Sequence, residues 1–211
     1  MKDELVKPIA SSIEQFEKEY SQIPEERKKI LKQLAEFAEQ KKKLKPDEAV
    51  EFIFICTHNS RRSQMAQLWA QAAASYYEVK NIRCYSGGTK ATAISSNTVK
   101  AMSDFGFNFL VRRRSENPLY RVYFSATEPY VVAFSKIYRV TINPTRGFAA
   151  VLVCSQADKN CPVVTGARLR ISLPYSDPKE FDGTPVEEAK YRESAMEIGR
   201  EIGYAFSLLK K

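Results

Sequence analysis

The sequence predicts an α/β fold: a central parallel sheet with helices on both faces, an N-terminal helical hairpin and a β-rich insertion. Short, wholly apolar runs typical of strands buried on both faces alternate with helical patterns, which indicates strand–helix–strand units with right-handed crossovers. The first 45 residues have helical periodicity alone, and a stretch at about 111–148 interrupts the alternation. We therefore expect a helical extension at 1–45 and a main α/β domain at 46–211.

Two helices are predicted in the extension. Apolar residues recur at helical spacing in the first, at Ile9, Ile13, Phe16 and Tyr20. Ser21 and Pro24, followed by two glutamates, are typical of a new helix start. The second helix has its own apolar stripe, formed by Ile30, Leu31, Leu34, Phe37 and Ala38. These stripes must be buried either against the main domain or across a homodimer interface, and the sequence leaves both open.

The main domain begins after Pro46-Asp47 with a strand at Phe52–Ile55. The elements predicted after it are a helix at about 63–78, a strand at 82–85, a helix at 95–105, strands at 149–153 and 168–173, and a long amphipathic helix at 187–209. In a parallel sheet of this kind, ligands bind at the carboxyl ends of the strands. The residues that follow the first strand are therefore expected to lie at a binding edge.

The insertion at about 111–148 begins with Arg112, Arg113 and Arg114. It contains alternating apolar and polar residues near Tyr120–Phe124 and a second β-rich run at Tyr130–Thr141, so we interpret it as a β-hairpin or a pair of edge strands joined to the main sheet. The three arginines are expected to face solvent rather than the anion site.

Composition narrows the class of protein. The N-terminus lacks the apolar core of a signal peptide, and no apolar run approaches the roughly 20 residues of a membrane helix, which together indicate the cytoplasm. Four cysteines in a reducing compartment favour catalytic, redox or buried roles over a disulfide framework. A net charge of +8 favours the binding of anions. No nucleic-acid recognition pattern accompanies this charge, so we do not expect nucleic acid as a partner.

A strand, a short loop and a helix N-terminus follow one another in EFIFICTHNSRRSQMAQLW, residues 51–69. Consecutive N–H groups between Cys56 and Ser63, together with the helix dipole, can hold a tetrahedral oxyanion. The same field favours the thiolate of Cys56. Arg62 can grip two oxygens of the anion, and Ser63 can donate its hydroxyl to the sulfur. The alternative is a buried structural cysteine before an ordinary helix start.

Cys-x5-Arg-Ser at this junction resembles the signature of the low-molecular-weight protein tyrosine phosphatase superfamily, which includes the thioredoxin-coupled arsenate reductases. The resemblance covers about residues 50–110 and 148–209. It implies a Cys56 nucleophile and, on a late loop, Asp177 of an Asp-Pro pair as the acid that protonates the leaving oxygen. It also implies an oxyanion loop formed by Thr57, His58, Asn59, Ser60, Arg61, Arg62 and Ser63.

The segment CSQADKNCP resembles the Cys-x6-Cys-Pro of the reductases in particular. The resemblance implies that arsenate adds to Cys56, that Cys154 releases arsenite by forming a disulfide, and that Cys161 moves the disulfide outward to thioredoxin or a similar dithiol donor. Two incidental buried cysteines are the alternative. His58 and Arg61 depart from the family pattern, and Gln67 replaces an acidic potassium ligand, so we expect neither a metal ion nor another cofactor.

We therefore expect an arsenate reductase. The alternative is a phosphatase of phosphotyrosine or a small phosphomonoester, which would use a Cys56 phosphocysteine intermediate and Asp177 as general acid. A non-catalytic oxyanion-binding or redox-sensing module is a third interpretation. Cys84 and Trp69 are predicted to belong to the core.

Overall fold

The computed structural model describes residues 5–160 and 163–210 of the chain. Its helices are α1 (Lys7–Glu19), α2 (Glu25–Leu44), α3 (Arg62–Tyr76), α4 (Ser96–Asp104), α5 (Ser155–Asn160) and α6 (Glu187–Ser207). Its strands are β1 (Val50–Cys56), β2 (Ile82–Gly88), β3 (Asn108–Arg113), β4 (Leu119–Tyr123), β5 (Val131–Ala133), β6 (Phe148–Leu152) and β7 (Ala167–Ser172). Short 3-10 turns cover Tyr20–Gln22 and Pro178–Phe181.

The central sheet has the strand order β2-β1-β6-β7, and all of its pairings are parallel, which confirms the predicted fold class. Strand β1 is paired with a neighbouring strand at each edge, and helices α2, α3 and α5 pack against it. Its residues Phe52–Ile55 are completely buried, which explains why the sequence shows an unbroken apolar run there rather than alternation. Helix α3 packs against β1 and β2 and places Trp69 in the core, as predicted.

The N-terminal helices pack on the main domain. Helices α1 and α2 both contact α6, and Phe16 of α1 meets Trp69 edge to face with ring centroids 5.3 Å apart. A Cβ at Gly199 of α6 would lie 2.7 Å from the Phe16 ring and 2.9 Å from Trp69, so this close approach requires glycine. The apolar stripes are thus buried within one chain, and their burial does not require a second copy.

A bidentate ion pair also joins the extension to α6. Arg27 of α2 donates Nε to Glu201 Oε1 at 3.0 Å and Nη2 to Oε2, and the Glu201 side chain is only 6% exposed. The third guanidinium nitrogen donates to the Pro174 carbonyl at 3.1 Å. This pair satisfies a buried carboxylate that would otherwise be costly.

The insertion is a separate three-stranded antiparallel sheet, β3-β4-β5, which begins at Asn108. The two predicted β-rich runs pair with each other as an antiparallel hairpin, β4 with β5, which confirms that alternative. The other alternative, edge strands of the main sheet, is wrong, since the only bridge of the insertion to a main strand within the described residues is Gly88 to Ile137. The expected strand at Tyr130–Thr141 is reduced to Val131–Ala133, because the next residues hydrogen-bond to the loop after β1. Residues 112–114 are exposed, as predicted.

No helix within residues 5–160 and 163–210 is long and apolar enough to cross a membrane.

Candidate active site

The oxyanion loop, residues 56–63, connects the carboxyl end of β1 to the N-terminus of α3. Within the described part of the chain, none of the backbone N–H groups of residues 57–63 has a protein acceptor. Unpaired N–H groups at a helix start bind anions well, because the helix dipole adds positive potential there. Cys56 lies at the start of this series and is 3% exposed, so its sulfur is at the base of the loop.

Strand β2 supports the loop from one side. Gly88 is paired with Cys56, and a Cβ at Gly88 would lie 2.7 Å from the Thr57 carbonyl oxygen and 2.8 Å from the Asn59 nitrogen. Real Cβ atoms do not approach so closely, so glycine is required for the loop to fold against β2. Thr89 and Lys90 then donate their N–H groups to the carbonyls of Cys56 and Thr57 at 3.2 and 2.8 Å.

Asn59 fixes the shape of the loop. It has a left-handed backbone, with φ of +47°, which asparagine tolerates better than most residues. Its Oδ1 accepts the Lys136 N–H at 2.9 Å, and its Nδ2 therefore points the other way and donates to Ser63 Oγ at 2.9 Å. Because Ser63 Oγ accepts this bond, its own hydrogen is available for the Cys56 sulfur, 3.0 Å away. The hydrogen-bond chain thus runs from the Lys136 N–H through Asn59 to Ser63, whose hydroxyl is the donor left for the Cys56 sulfur.

Residues 134–138, the bracing segment, follow β5 and hold the back of the oxyanion loop. Besides the Lys136 N–H, Ser135 donates its hydroxyl to the His58 carbonyl at 2.8 Å. The Gln64 side chain bridges the Asn59 and Phe134 carbonyls at 3.1 Å each. Sequence reasoning missed this segment; its one signal is a lysine within a mostly apolar run, FSKIY, and nothing local shows which element that run contacts.

Arg62 and Asp177 lie together. The guanidinium forms an ion pair with the Asp177 carboxylate through Nη2 and donates Nη1 to the Tyr175 carbonyl at 2.9 Å. Arg62 Nε is buried and has no hydrogen-bond partner within the described residues. A buried donor of this kind costs free energy unless a ligand satisfies it. The geometry thus leaves one guanidinium nitrogen for an anion and holds the Asp177 carboxyl beside Arg62.

The side chains of Arg61 and His58 have other environments. Arg61 donates Nε to the Tyr191 hydroxyl at 2.7 Å and lies 3.6 Å from Asp182. Its side chain therefore connects the oxyanion loop to α6, and only its backbone N–H is part of the anion-binding series. His58 is half-buried, and burial lowers its pKa, with a further decrease from Lys179. Its imidazole is therefore mainly neutral at pH 7.

Cys154 follows β6, the neighbour of β1. Its buried sulfur lies 3.5 Å from the Thr57 hydroxyl and accepts the Ala157 N–H at 3.3 Å. The pairing of Ile55 with Leu152 extrapolates to a separation of about 6 Å between the Cα atoms of Cys56 and Cys154, from strand spacing and rise. Disulfides span about 4.4–6.8 Å. Cys161 and Pro162 lie outside the described residues, so the structure does not place the third predicted thiol.

Cys84 is a core residue, as predicted. It is buried in β2, and burial raises the pKa of its thiol far above the ordinary range. A thiol that stays protonated is a poor nucleophile. Cys84 is thus distinct from the two cysteines at the carboxyl edge of the sheet.

The fold and this site define an α/β protein that binds an oxyanion over a cysteine nucleophile. No family model matches the chain. Two curated relatives are the arsenate reductase of Halalkalibacterium halodurans, 26% identical over 150 residues, and that of Bacillus subtilis, 27% identical over 150 residues. Each alignment covers 71% of this chain and 89% of the relative.

A solved structure with the same fold is the low-molecular-weight protein tyrosine phosphatase from T. tengcongensis, with a TM-score of 0.51 and 16% identity. The match covers 74% of this chain and 97% of that chain. The curated relatives and this structure support the superfamily that the Cys-x5-Arg-Ser motif resembles, and they indicate an enzyme of the kind that includes arsenate reductases and low-molecular-weight phosphatases.

Proposed function

We propose that the chain reduces arsenate to arsenite, with Cys56 as the nucleophile. The observation that supports this most is the position of a second free cysteine, Cys154, at the carboxyl end of the strand beside β1, where its sulfur lies 3.5 Å from the hydroxyl of Thr57, the residue after Cys56. A phosphatase has no use for a thiol there, since water completes its reaction. The curated relatives with the name arsenate reductase support the same choice.

In the first step the Cys56 thiolate displaces one oxygen of arsenate, which leaves as water after protonation. The N–H groups of the oxyanion loop and Arg62 stabilise the charge on the remaining oxygens. Asp177 supplies the proton once the anion replaces it as the partner of Arg62. The product is an arsenic(V) adduct on the Cys56 sulfur.

In the second step the Cys154 thiolate attacks the Cys56 sulfur. The sulfur–sulfur bond forms while the electron pair of the sulfur–arsenic bond moves to arsenic, so arsenic(V) becomes arsenic(III) and arsenite leaves. Cys161 then attacks Cys154, which frees Cys56 and leaves a Cys154–Cys161 disulfide. Thioredoxin or a similar dithiol donor reduces that disulfide.

Arsenite release coupled to thioredoxin, thioredoxin reductase and NADPH tests the proposal. Turnover is expected to be abolished by Cys56→Ser, Cys154→Ser and Cys161→Ser. Cys84→Ser, which removes a thiol of the core, is the matched control and should retain turnover if the variant folds. Full activity of Cys154→Ser would disprove the thiol relay.

The second candidate is a phosphatase, and the Asp177 carboxyl beside Arg62 favours it, because protonation of a leaving alkoxide requires an acid at that place. It predicts hydrolysis of an aryl phosphate that is lost with Cys56→Ser and falls by about 10²–10⁴ with Asp177→Asn. It also predicts unchanged hydrolysis in Cys154→Ser. Comparison of that variant in the two assays separates the candidates.

A further inference from the structure

Lys136 is a buried cation in the bracing segment. The residue is 4% exposed, and its ammonium lies 3.4 Å from Ser86 Oγ and 4.9 Å from the centre of the Phe134 ring. It has no carboxylate within ion-pair distance in the described part of the chain, and burial lowers its pKa to about 8. A buried charge without a counter-charge is costly, so the buried ammonium points to a negative charge that binds within electrostatic range of it.

The position of Lys136 identifies that partner. Its backbone N–H holds Asn59 Oδ1 of the oxyanion loop, and its side chain reaches Ser86 of β2. Ser86 is paired with Phe54, two residues before Cys56, so the Ser86 and Cys56 Cα atoms are about 8 Å apart by strand spacing and rise. The ammonium thus lies behind the loop whose N–H groups face an anion.

Other titratable groups near the ammonium do not replace that partner. They line, with Lys136, a cavity of about 500 Å³ between β2, α3 and the insertion: Arg83, Cys84, Tyr85, Glu128 and Tyr130. Cys84 stays neutral because burial raises its thiol pKa, and burial likewise raises the pKa of Tyr85. Glu128, the one carboxylate of this lining, is outside ion-pair distance of Lys136.

We propose that the Lys136 ammonium is the buried counter-charge of the bound oxyanion, so that the insertion supplies both the brace and part of the positive potential of the site. Lys136 is a positioning residue and does not touch the anion. This inference rests on the oxyanion-binding function proposed above. With an effective dielectric constant near 20, a unit charge about 10 Å from the anion contributes about tenfold to affinity for each negative charge.

The test uses sulfate, which remains a dianion from neutral to alkaline pH, and the Cys56→Ser protein, which has no thiolate to repel it. Calorimetry gives the sulfate Kd of this parent and of the same protein with Lys136→Met, which keeps the backbone N–H and the side-chain length. At pH 7 the Kd should rise at least about tenfold in Lys136→Met. At pH 9.5 the lysine of the free parent is mainly neutral, so the ratio of the two Kd values should fall to less than half of its value at pH 7.

Arg112→Met is the matched control, because it removes one positive charge from an exposed position of the same insertion. It should leave the sulfate Kd within about twofold at both pH values, since exposed charges are screened. Lys136→Met should melt no lower than the parent at pH 7, because it removes an unpaired buried charge. If methionine disturbs the fold, Lys136→Gln serves the same comparison.

Equal sulfate Kd values for the parent and the Lys136 variant at pH 7 would overturn the inference and leave the oxyanion site intact. An equal loss at pH 7 and pH 9.5 would overturn it as well, since a packing defect does not depend on the charge. Sulfate binding that survives Arg62→Met would place the anion outside the loop, against the inference. A parent that binds no sulfate would contradict the proposed function itself.

Discussion

Replacement of Asn59 by alanine tests whether the hydrogen-bond chain holds the oxyanion loop. The change removes the bond to Ser63, worth about 1 kcal/mol, and leaves the buried Lys136 N–H without an acceptor, at about 1–3 kcal/mol. Alanine at φ of +47° adds about 1 kcal/mol. The free energy of unfolding should therefore fall by about 3–5 kcal/mol, which lowers the Tm by about 10 °C in a chain of this size.

Asn81→Ala is the control for this measurement. Asn81 is also left-handed, with φ of +58°, but it is exposed. Its replacement should cost only the backbone contribution, about 1 kcal/mol as at Asn59. Urea denaturation of both variants and of the unmodified protein gives the comparison. If Asn59→Ala lost no more stability than Asn81→Ala, the hydrogen-bond chain would contribute nothing and the reasoning would be refuted.

Three further predictions concern the loop and its supports. Ser63→Ala should slow the alkylation of Cys56 by iodoacetamide at pH 7 about tenfold, because the sulfur loses a hydrogen-bond donor. Mass spectrometry measures the alkylation rate, and an unchanged rate would contradict the prediction. Gly88→Ala should weaken sulfate binding at least about tenfold, because the new Cβ would overlap two backbone atoms of the oxyanion loop. Calorimetry measures the Kd, and an unaltered Kd would show that β2 does not support the loop at Gly88. Arg27→Met should lower the free energy of unfolding by about 3–5 kcal/mol, because Glu201 is left buried and unpaired. The double variant Arg27→Met, Glu201→Gln should recover part of that loss of stability.

Local patterns in the sequence were sufficient for the central elements. The unbroken apolar run of β1 predicts a strand covered on both faces, and the helical residues after Arg62 predict the helix that follows the loop. Both signals depend on side chains within a few positions of one another, so they can be read without knowledge of the rest of the chain. The same holds for the two N-terminal helices, whose stripes follow the helical repeat.

Long-range contacts decided the remainder of the site. The bracing segment looked like a strand because it is mostly apolar. It hydrogen-bonds instead to the oxyanion loop, about 75 residues earlier, through the Ser135 hydroxyl and the Lys136 N–H, and to Gly88 of β2 through its backbone. The direction of the Arg61 side chain could not be predicted from the sequence either, since Tyr191 and Asp182 contact it only after α6 packs on α3. No residue near the loop in the sequence indicates either of these two partners.

What the sequence by itself determined was the chemistry available at one strand end: a cysteine, an arginine and the N–H groups of a helix start. What only the tertiary structure decided was which groups share that place, namely Asp177 beside Arg62, Cys154 near Cys56, and Lys136 behind Asn59. The physical reason is that periodicity records which faces are buried but not their partners. Partners depend on close packing among distant segments, and that packing exists only in the folded chain.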